Sequence, residues 1–265
     1  MDFILTKEYI ECCKKILEEV KEDENLYFKR SLPICILDAV FSIGANYNST
    51  WRVWDRYIKY YNLELKSFRD VNEGESDKSE HTITDLLQNV EQSQSIETFA
   101  SEILQNTQRT SPTNGILKAQ AALDIANIMK RNNINTISDF QNNKDKAKLN
   151  EEILSVHGQS SGIMLKYLYM LAGDVNTCKP DRWLHRFLQT FYPEIKLDDI
   201  QSLMTDTVAE LKKYRPEVTV RMLDNAIWKY AKVKYNKKRK ITDSSGGKYH
   251  ENDICTSSQT APSTQ

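Results

Sequence analysis

A polar turn bounded by glycine, followed directly by an apolar helix, constrains this chain more than any other stretch. The turn is the segment 156–162, which reads Val-His-Gly-Gln-Ser-Ser-Gly, and residues 163–171 after it are apolar except for Lys166. Small residues let backbone amides approach another group closely. The apolar stretch predicts a buried helix, and its N-terminal amides favour an anion, of which phosphate is the obvious example.

A second helix start follows at Lys179-Pro180-Asp181. Proline pre-sets the backbone for the first helical turn, and aspartate is a favoured N-cap residue. Apolar residues then recur at helical spacing and predict one buried face: Trp183, Leu184, Phe187, Leu188 and Phe191. The spacing leaves two roles open for Asp181, a helix cap alone or a carboxylate held at the mouth of a cleft.

Composition indicates an all-α protein. The chain has 265 residues, only 8 glycines and 6 prolines, and long stretches with a period of 3.6 residues. This length is enough for one large domain or for two smaller lobes that share a cleft. The formal net charge is −1, so binding to nucleic acid would depend on local basic patches and backbone amides.

Periodic apolar residues predict further helices before and after the turn. The predicted helices cover residues 9–20, 34–43, 51–61, 83–90, 96–104, 116–131, 200–211 and 220–230. Either Ser49 or Thr50 is expected to cap the helix that carries Trp51. The five cysteines show no metal-ligand spacing, so no iron–sulfur cluster is expected, and their scattered, odd number is typical of a reducing cytosol.

Six cations lie close together near the C-terminus. They are Lys232, Lys234, Lys237, Lys238, Arg239 and Lys240. Such a cluster can contact DNA phosphates, act as a nuclear-localisation-like patch, or form the solvated end of a helix. We expect a disordered polar tail over residues 236–265. No apolar run approaches the roughly 18–20 residues that a membrane span needs.

The order of the turn and the later aspartate resembles the helix-hairpin-helix DNA glycosylase superfamily, which includes endonuclease III and 8-oxoguanine glycosylase. The family's L-P-G-x-G hairpin is similar to the segment 154–162, and its V-D-x-H-x-x-R motif is similar to the segment 180–186, with Asp181 at the catalytic aspartate and Arg186 at the downstream arginine. Two positions differ, since Ser160 replaces the hairpin's second glycine and Gly162 stands where bifunctional members carry a lysine. The likeness extends over about residues 32–230.

This resemblance implies a two-lobed helical fold with a cleft between the lobes, in a domain of residues 1–235 whose hairpin is about 153–171. It also implies a monofunctional DNA glycosylase for repair or for modified DNA, because Gly162 cannot form a Schiff base. A flipped nucleotide would present its N-glycosidic bond to Asp181, whose carboxylate stabilises the cationic sugar and orients a water.

The resemblance also assigns roles to other residues. The implied contacts to the DNA backbone are Gly158, Gln159, Ser160, Ser161, Gly162, Lys179 and Arg182. The positions that match the family's base pocket are Asn46, Tyr47 and Trp51. A monovalent cation at the carbonyls of Val156 and Gly158 is the single cofactor implied, and the expected partner of this monomer is double-stranded DNA rather than a membrane. The expected location is cytoplasmic in a bacterial or phage host, or nuclear in a eukaryote.

Two alternatives remain open at this point. One is a non-catalytic DNA-binding relative, which the altered hairpin and the near-neutral charge favour. The other is an enzyme that acts on modified, phage-type bases with different chemistry, for which the unusual segment Lys179-Pro180-Asp181-Arg182 leaves room.

Overall fold

The computed structural model describes residues 3–20, 31–64 and 80–244, with side chains described as far as Tyr235. All regular elements in these ranges are helical, which confirms the all-α class. An isolated antiparallel bridge joins Arg109 to Leu117 in a loop. Within the same ranges, no helix combines the length and the apolar character that crossing a bilayer requires.

The helices have the following bounds in chain order. They are α1 Lys7–Glu19, α2 Leu32–Ser42, α3 Tyr47–Tyr60, α4 Ile83–Gln92, α5 Ile96–Thr98, α6 Lys118–Arg131, α7 Ile137–Asn142, α8 Lys146–Ser155, α9 Ile163–Leu171, α10 Arg182–Leu188, α11 Ile200–Leu211 and α12 Val220–Ser244. A π-helical turn, Phe99–Ile103, continues α5, and a 3-10 turn, Leu197–Asp199, precedes α11.

These helices form two compact units, each with its own hydrophobic core. The terminal unit joins residues 1–23 to residues 175–265 and contains α1 and α10 to α12. The central unit spans residues 24–174 and contains α2 to α9. The chain therefore has two cores of moderate size, in which each amphipathic helix buries its apolar face.

Helix α2 is the centre of the central unit. Ten of its residues are buried, so it is covered on all sides, as its continuous apolar sequence predicts. Ser31 caps its first turn, and Pro33 occupies an early position where its missing N–H costs nothing. Helices α3, α6 and α9 pack around it.

The terminal unit is built around aromatic residues of α1 and α10. The buried ring of Tyr9 contacts those of Phe187 and Phe191, at centroid distances of 6.4 and 5.2 Å. Its hydroxyl group accepts a hydrogen bond of 3.1 Å from Thr207 of α11. The first helix of the chain therefore stabilises α10, the helix that Asp181 begins.

Two boundaries differ from the sequence-based expectation. Helix α3 is capped by Asn46, whose side chain accepts the amide of Asn48, and not by Ser49 or Thr50. The hydroxyl of Thr50 is instead buried and donates to the carbonyl of Phe41. Helix α12 continues to Ser244 because no glycine or proline interrupts it, so it extends past the expected start of the tail at 236; residues 245–265 of that tail lie outside the described residues.

Candidate functional site

The turn between α8 and α9 has the tight backbone that its sequence predicts. Gly158 and Gly162 have φ angles of +84° and +70°, a left-handed region that favours glycine. The amide of Gln159 donates to the carbonyl of Val156 at 2.9 Å, and the amide of Gly162 donates to the carbonyl of Gln159 at 3.1 Å. Helices α8 and α9 are thus joined by a hydrogen-bonded hairpin rather than by an open loop.

Gly158 is also required because another segment approaches it closely. A Cβ atom at this position would lie 2.5 Å from Cβ of Thr110 and 2.7 Å from its hydroxyl oxygen. Thr110 belongs to the loop between the π-helical turn and α6, and no sequence pattern connects that loop with the hairpin. The hairpin is therefore braced by a second loop of the central unit.

The hairpin contains two exposed residues, Ser160 and Ser161, and one buried polar side chain, that of Gln159. Ser160 and Ser161 are exposed, and no acceptor for their backbone N–H groups is found among the described residues. Gln159 is only 2% exposed, and its side-chain oxygen Oε1 has no hydrogen-bond partner in the described part of the chain. Free amides beside a helix start suit an anion, whereas a buried acceptor suits a cation or an N–H donor.

The residues expected to hold a monovalent cation lie in this turn. The carbonyl oxygen of Val156 accepts one hydrogen bond, from Gln159, and has a second lone pair. This carbonyl and the buried oxygen of Gln159 are donor atoms that a hard cation accepts. Over the described ranges, no group of three or more histidine, cysteine, aspartate or glutamate side chains is arranged to hold a metal ion.

Asp181 is the N-cap of α10, as its sequence context predicts. Its Oδ1 accepts the amides of Trp183 at 2.8 Å and Leu184 at 3.1 Å. Within the described residues, no hydrogen-bond partner is found for Oδ2, and the side chain is partly exposed. One oxygen thus fixes the carboxylate in place, while the other remains available to a ligand.

A second carboxyl group lies at this position, and sequence reasoning missed it. Asp224 of α12 is buried, accepts the backbone N–H of Lys179, and lies close enough to Asp181 to sense its charge. Its pKa is raised well above the usual value, first by burial and then by the charge of Asp181. The signal in the sequence was an aspartate on the apolar stripe of Val220, Leu223 and Ile227, a position that is otherwise buried.

The two basic residues beside Asp181 have different environments. Lys179 is half-buried, and its positive charge lowers the pKa of Asp224, which partly offsets the effect of burial. Arg182 is exposed, and its guanidinium lies 4.9 Å from the ring centroid of Trp183. Lys179, Asp181 and Arg182 therefore lie side by side at the start of α10.

The three residues expected in a base pocket lie at the start of α3. Asn46 is exposed and serves as the helix cap, and Tyr47 is half-buried. Trp51 is 37% exposed and meets the ring of Trp54 edge-on, whereas Trp54 donates to the buried Asp38 at 3.1 Å. Trp51 is thus an accessible aromatic side chain, while Trp54 is held by the core.

Lys118 forms hydrogen bonds with the end of α2 and with the segment that joins α2 to α3. It is buried, and its ammonium donates to the carbonyls of Phe41 at 3.1 Å and Ile43 at 2.7 Å, at the C-terminal end of α2. A cation there satisfies carbonyls that a helix end leaves free and complements the helix dipole. Local sequence patterns do not reveal this role, because the partners are more than 70 positions away in the chain.

The expected residues are divided between the two units. The central unit contains the hairpin and the start of α3, and the terminal unit contains Lys179, Asp181 and Arg182 with Asp224. No match was found among curated proteins or among solved structures. A family model described as "Domain of unknown function (DUF8548)" matches residues 7–232, which include both groups and most of the chain. The chain therefore belongs to the DUF8548 family.

Proposed function

We propose that the protein is a monofunctional DNA glycosylase that removes a damaged or modified base from double-stranded DNA. The observation that carries this proposal is the geometry of Asp181. Its carboxylate is fixed by two amides of α10 through one oxygen, and its other oxygen has no partner in the described part of the chain. A fixed, partly exposed carboxylate is the group that a reaction with a cationic sugar intermediate requires.

The proposed reaction breaks the bond between C1′ of the sugar and the base nitrogen. The base leaves with the bonding electrons and takes up a proton, while positive charge builds on the sugar. Asp181 stabilises that charge through Oδ2 and orients a water, which adds to C1′ and loses a proton. The products are a free base and an abasic site.

The hairpin supports the second requirement of this reaction, a firm grip on the DNA backbone. Flipping a nucleotide out of the duplex costs a few kcal/mol, which contacts to the flanking phosphates must offset. The exposed amides of Ser160 and Ser161 and the start of α9 suit a phosphate. A monovalent cation held by the carbonyls of Val156 and Gly158 would add positive charge for that phosphate.

The proposal of a monofunctional enzyme rests on Gly162. This residue is the N-cap of α9 in a left-handed conformation, and it carries no amine that could form a Schiff base. Strand cleavage by β-elimination is therefore not expected. The accessible ring of Trp51, with Asn46 and Tyr47, is proposed to contact the extruded base, in the two-lobed fold of the helix-hairpin-helix glycosylases.

A panel of duplexes, each with one damaged or modified base, tests this function. The strands are analysed with and without alkali after incubation with the protein. The proposal predicts cleavage that depends on alkali, since an abasic site breaks only then. Cleavage without alkali would contradict the role given to Gly162, and release of no base together with normal duplex binding would indicate a non-catalytic DNA-binding protein. A covalently altered base that stays attached would indicate the other alternative, an enzyme that modifies bases.

A further inference from the structure

The C-terminal helix has an uneven charge distribution. Between Asp224 and Asp243 it contains seven basic residues and no acidic residue, in a protein whose formal net charge is −1. These residues are Lys229, Lys232, Lys234, Lys237, Lys238, Arg239 and Lys240. One α-helix, α12, covers the whole run.

Two arginines of α10 lie over aromatic rings, Arg186 over a ring of α12 and Arg182 over a ring of α10 itself. The guanidinium of Arg186 lies 4.1 Å from the ring centroid of Tyr235, and that of Arg182 lies 4.9 Å from the ring centroid of Trp183. The rings of Trp183 and Tyr235 are parallel within 5°, with their centroids 6.5 Å apart. Stacking on a ring orients a guanidinium and leaves its N–H donors at the edges available.

Neither arginine is neutralised by an acid. Both side chains are exposed, and across the described residues neither guanidinium forms a salt bridge. Each guanidinium has five N–H donors in a planar fork, which fits phosphate oxygens. Like charges on neighbouring turns of one helix repel each other, and a bound polyanion removes that repulsion.

Two lysines of α12 extend this group of charges. The ammonium of Lys234 lies 5.8 Å from the ring centroid of Tyr235, the ring that also holds Arg186. The ammonium of Lys232 lies 4.5 Å from the ring centroid of Trp228. We call Arg182, Arg186, Lys232 and Lys234 the ring-mounted cations.

We propose that the ring-mounted cations bind the phosphate backbone of duplex DNA, and that they do so independently of base sequence. This inference rests on the proposed function, which supplies DNA as the partner. A duplex carries about one negative charge for every 1.7 Å of its axis, so several neighbouring cations on α10 and α12 would each have a phosphate to pair with. Such contacts position a protein on DNA and do not read the bases.

The salt dependence of binding tests this surface directly. Fluorescence anisotropy with a labelled, undamaged duplex gives the association constant over a series of sodium chloride concentrations. Two variants remove two charges each: Arg182→Gln with Arg186→Gln on α10, and Lys232→Gln with Lys234→Gln on α12. For either variant, the slope of log Kobs against log salt should decrease in magnitude by roughly 1.8, and binding near 0.1 M salt should weaken by about tenfold or more.

A matched control removes two charges elsewhere. Lys144 and Lys146 are exposed in the central unit, so their double change to glutamine alters the net charge equally and should leave the slope unchanged. A wild-type slope in both test variants would overturn the proposal, and so would a failure of the unaltered protein to bind duplex DNA. Loss of binding to phosphatidylserine vesicles but not to DNA would assign the surface to membranes instead. The duplex is undamaged, so this binding measurement does not depend on catalysis. If the slopes change as predicted but the protein releases no base in the activity assay, only the proposed glycosylase function is rejected.

Discussion

The carboxyl group of Asp224 is buried behind the turn that presents Asp181, and it accepts the backbone N–H of Lys179 in that turn. Burial and, next, the charge of Asp181 raise the pKa of Asp224 well above its usual value. Two neighbouring carboxyl groups do not both ionise readily, and the more buried one retains its proton. We therefore expect Asp224 to retain its proton to a higher pH than an ordinary aspartate does.

This pair predicts how stability depends on pH. Because the folded-state pKa of Asp224 is raised, its stabilising contribution is complete below the unfolded-state pKa, roughly 3.9, and is lost as pH rises through the folded-state value. The asparagine side chain in the variant Asp224→Asn keeps an acceptor for Lys179 and stays neutral, so that loss disappears. Urea unfolding should show that Asp224→Asn becomes progressively more stable than the wild type as pH rises from about 5 to 8.

A second aspartate provides the control for this experiment. Asp206 of α11 is exposed, so Asp206→Asn should differ from the wild type by a nearly constant free energy over the same pH range. An unchanging difference for Asp224→Asn as well would show that Asp224 is not the group that retains the proton.

Substitution of Gly158 tests the bracing of the hairpin by Thr110. Alanine at this position adopts a positive φ and places its Cβ 2.5 Å from Cβ of Thr110. Gly44 has a similar φ of +64°, with no atom within 4 Å of an added Cβ, so Gly44→Ala measures the backbone cost alone, about 1–2 kcal/mol. Thermal or urea unfolding should show a further loss of roughly 1–3 kcal/mol in Gly158→Ala, and equal losses in the two variants would contradict the close contact.

Lys118 should be important for stability although it is charged. The change Lys118→Met keeps most of the side-chain volume but removes the ammonium that donates to the carbonyl of Ile43, and it leaves the carbonyl of Phe41 with the hydroxyl of Thr50 alone. We expect a loss of roughly 2–4 kcal/mol in the free energy of unfolding. Lys130 lies on the same helix and is exposed, so Lys130→Met should change stability by about 0.5 kcal/mol or less. A similar effect of the two substitutions would show that Lys118 does not hold the end of α2.

Local patterns were sufficient to predict the all-α class and the positions of most helices. Three features could be predicted from residues that are close together in the sequence: the continuous apolar helix α2, the helix start at Asp181 and the glycines of the hairpin. The start of α3 was predicted too late, because Asn46 competes with Ser49 and Thr50 as a cap and the three look alike in the sequence.

Contacts between distant positions were the part that the sequence could not provide. The distance in the chain is 77 residues between Lys118 and Phe41, and Thr110 approaches a glycine that lies 48 positions later. Asp224 could have been identified from the sequence as a carboxyl on a buried stripe. Its proximity to Asp181 could not, because α10 and α12 meet only in the folded chain. Periodicity reports which face of a helix is buried and does not report what it is buried against.

The most direct measurement of the central claim compares the wild type with Asp181→Asn on a duplex that contains a susceptible base. Asparagine is also a favoured N-cap residue, so α10 and the stability of the protein should be preserved while the negative charge is lost. We predict that release of the base, measured as alkali-dependent strand cleavage, falls by at least about 100-fold while duplex binding is retained. A variant that releases the base at the wild-type rate would contradict the role of Asp181 and the glycosylase mechanism with it.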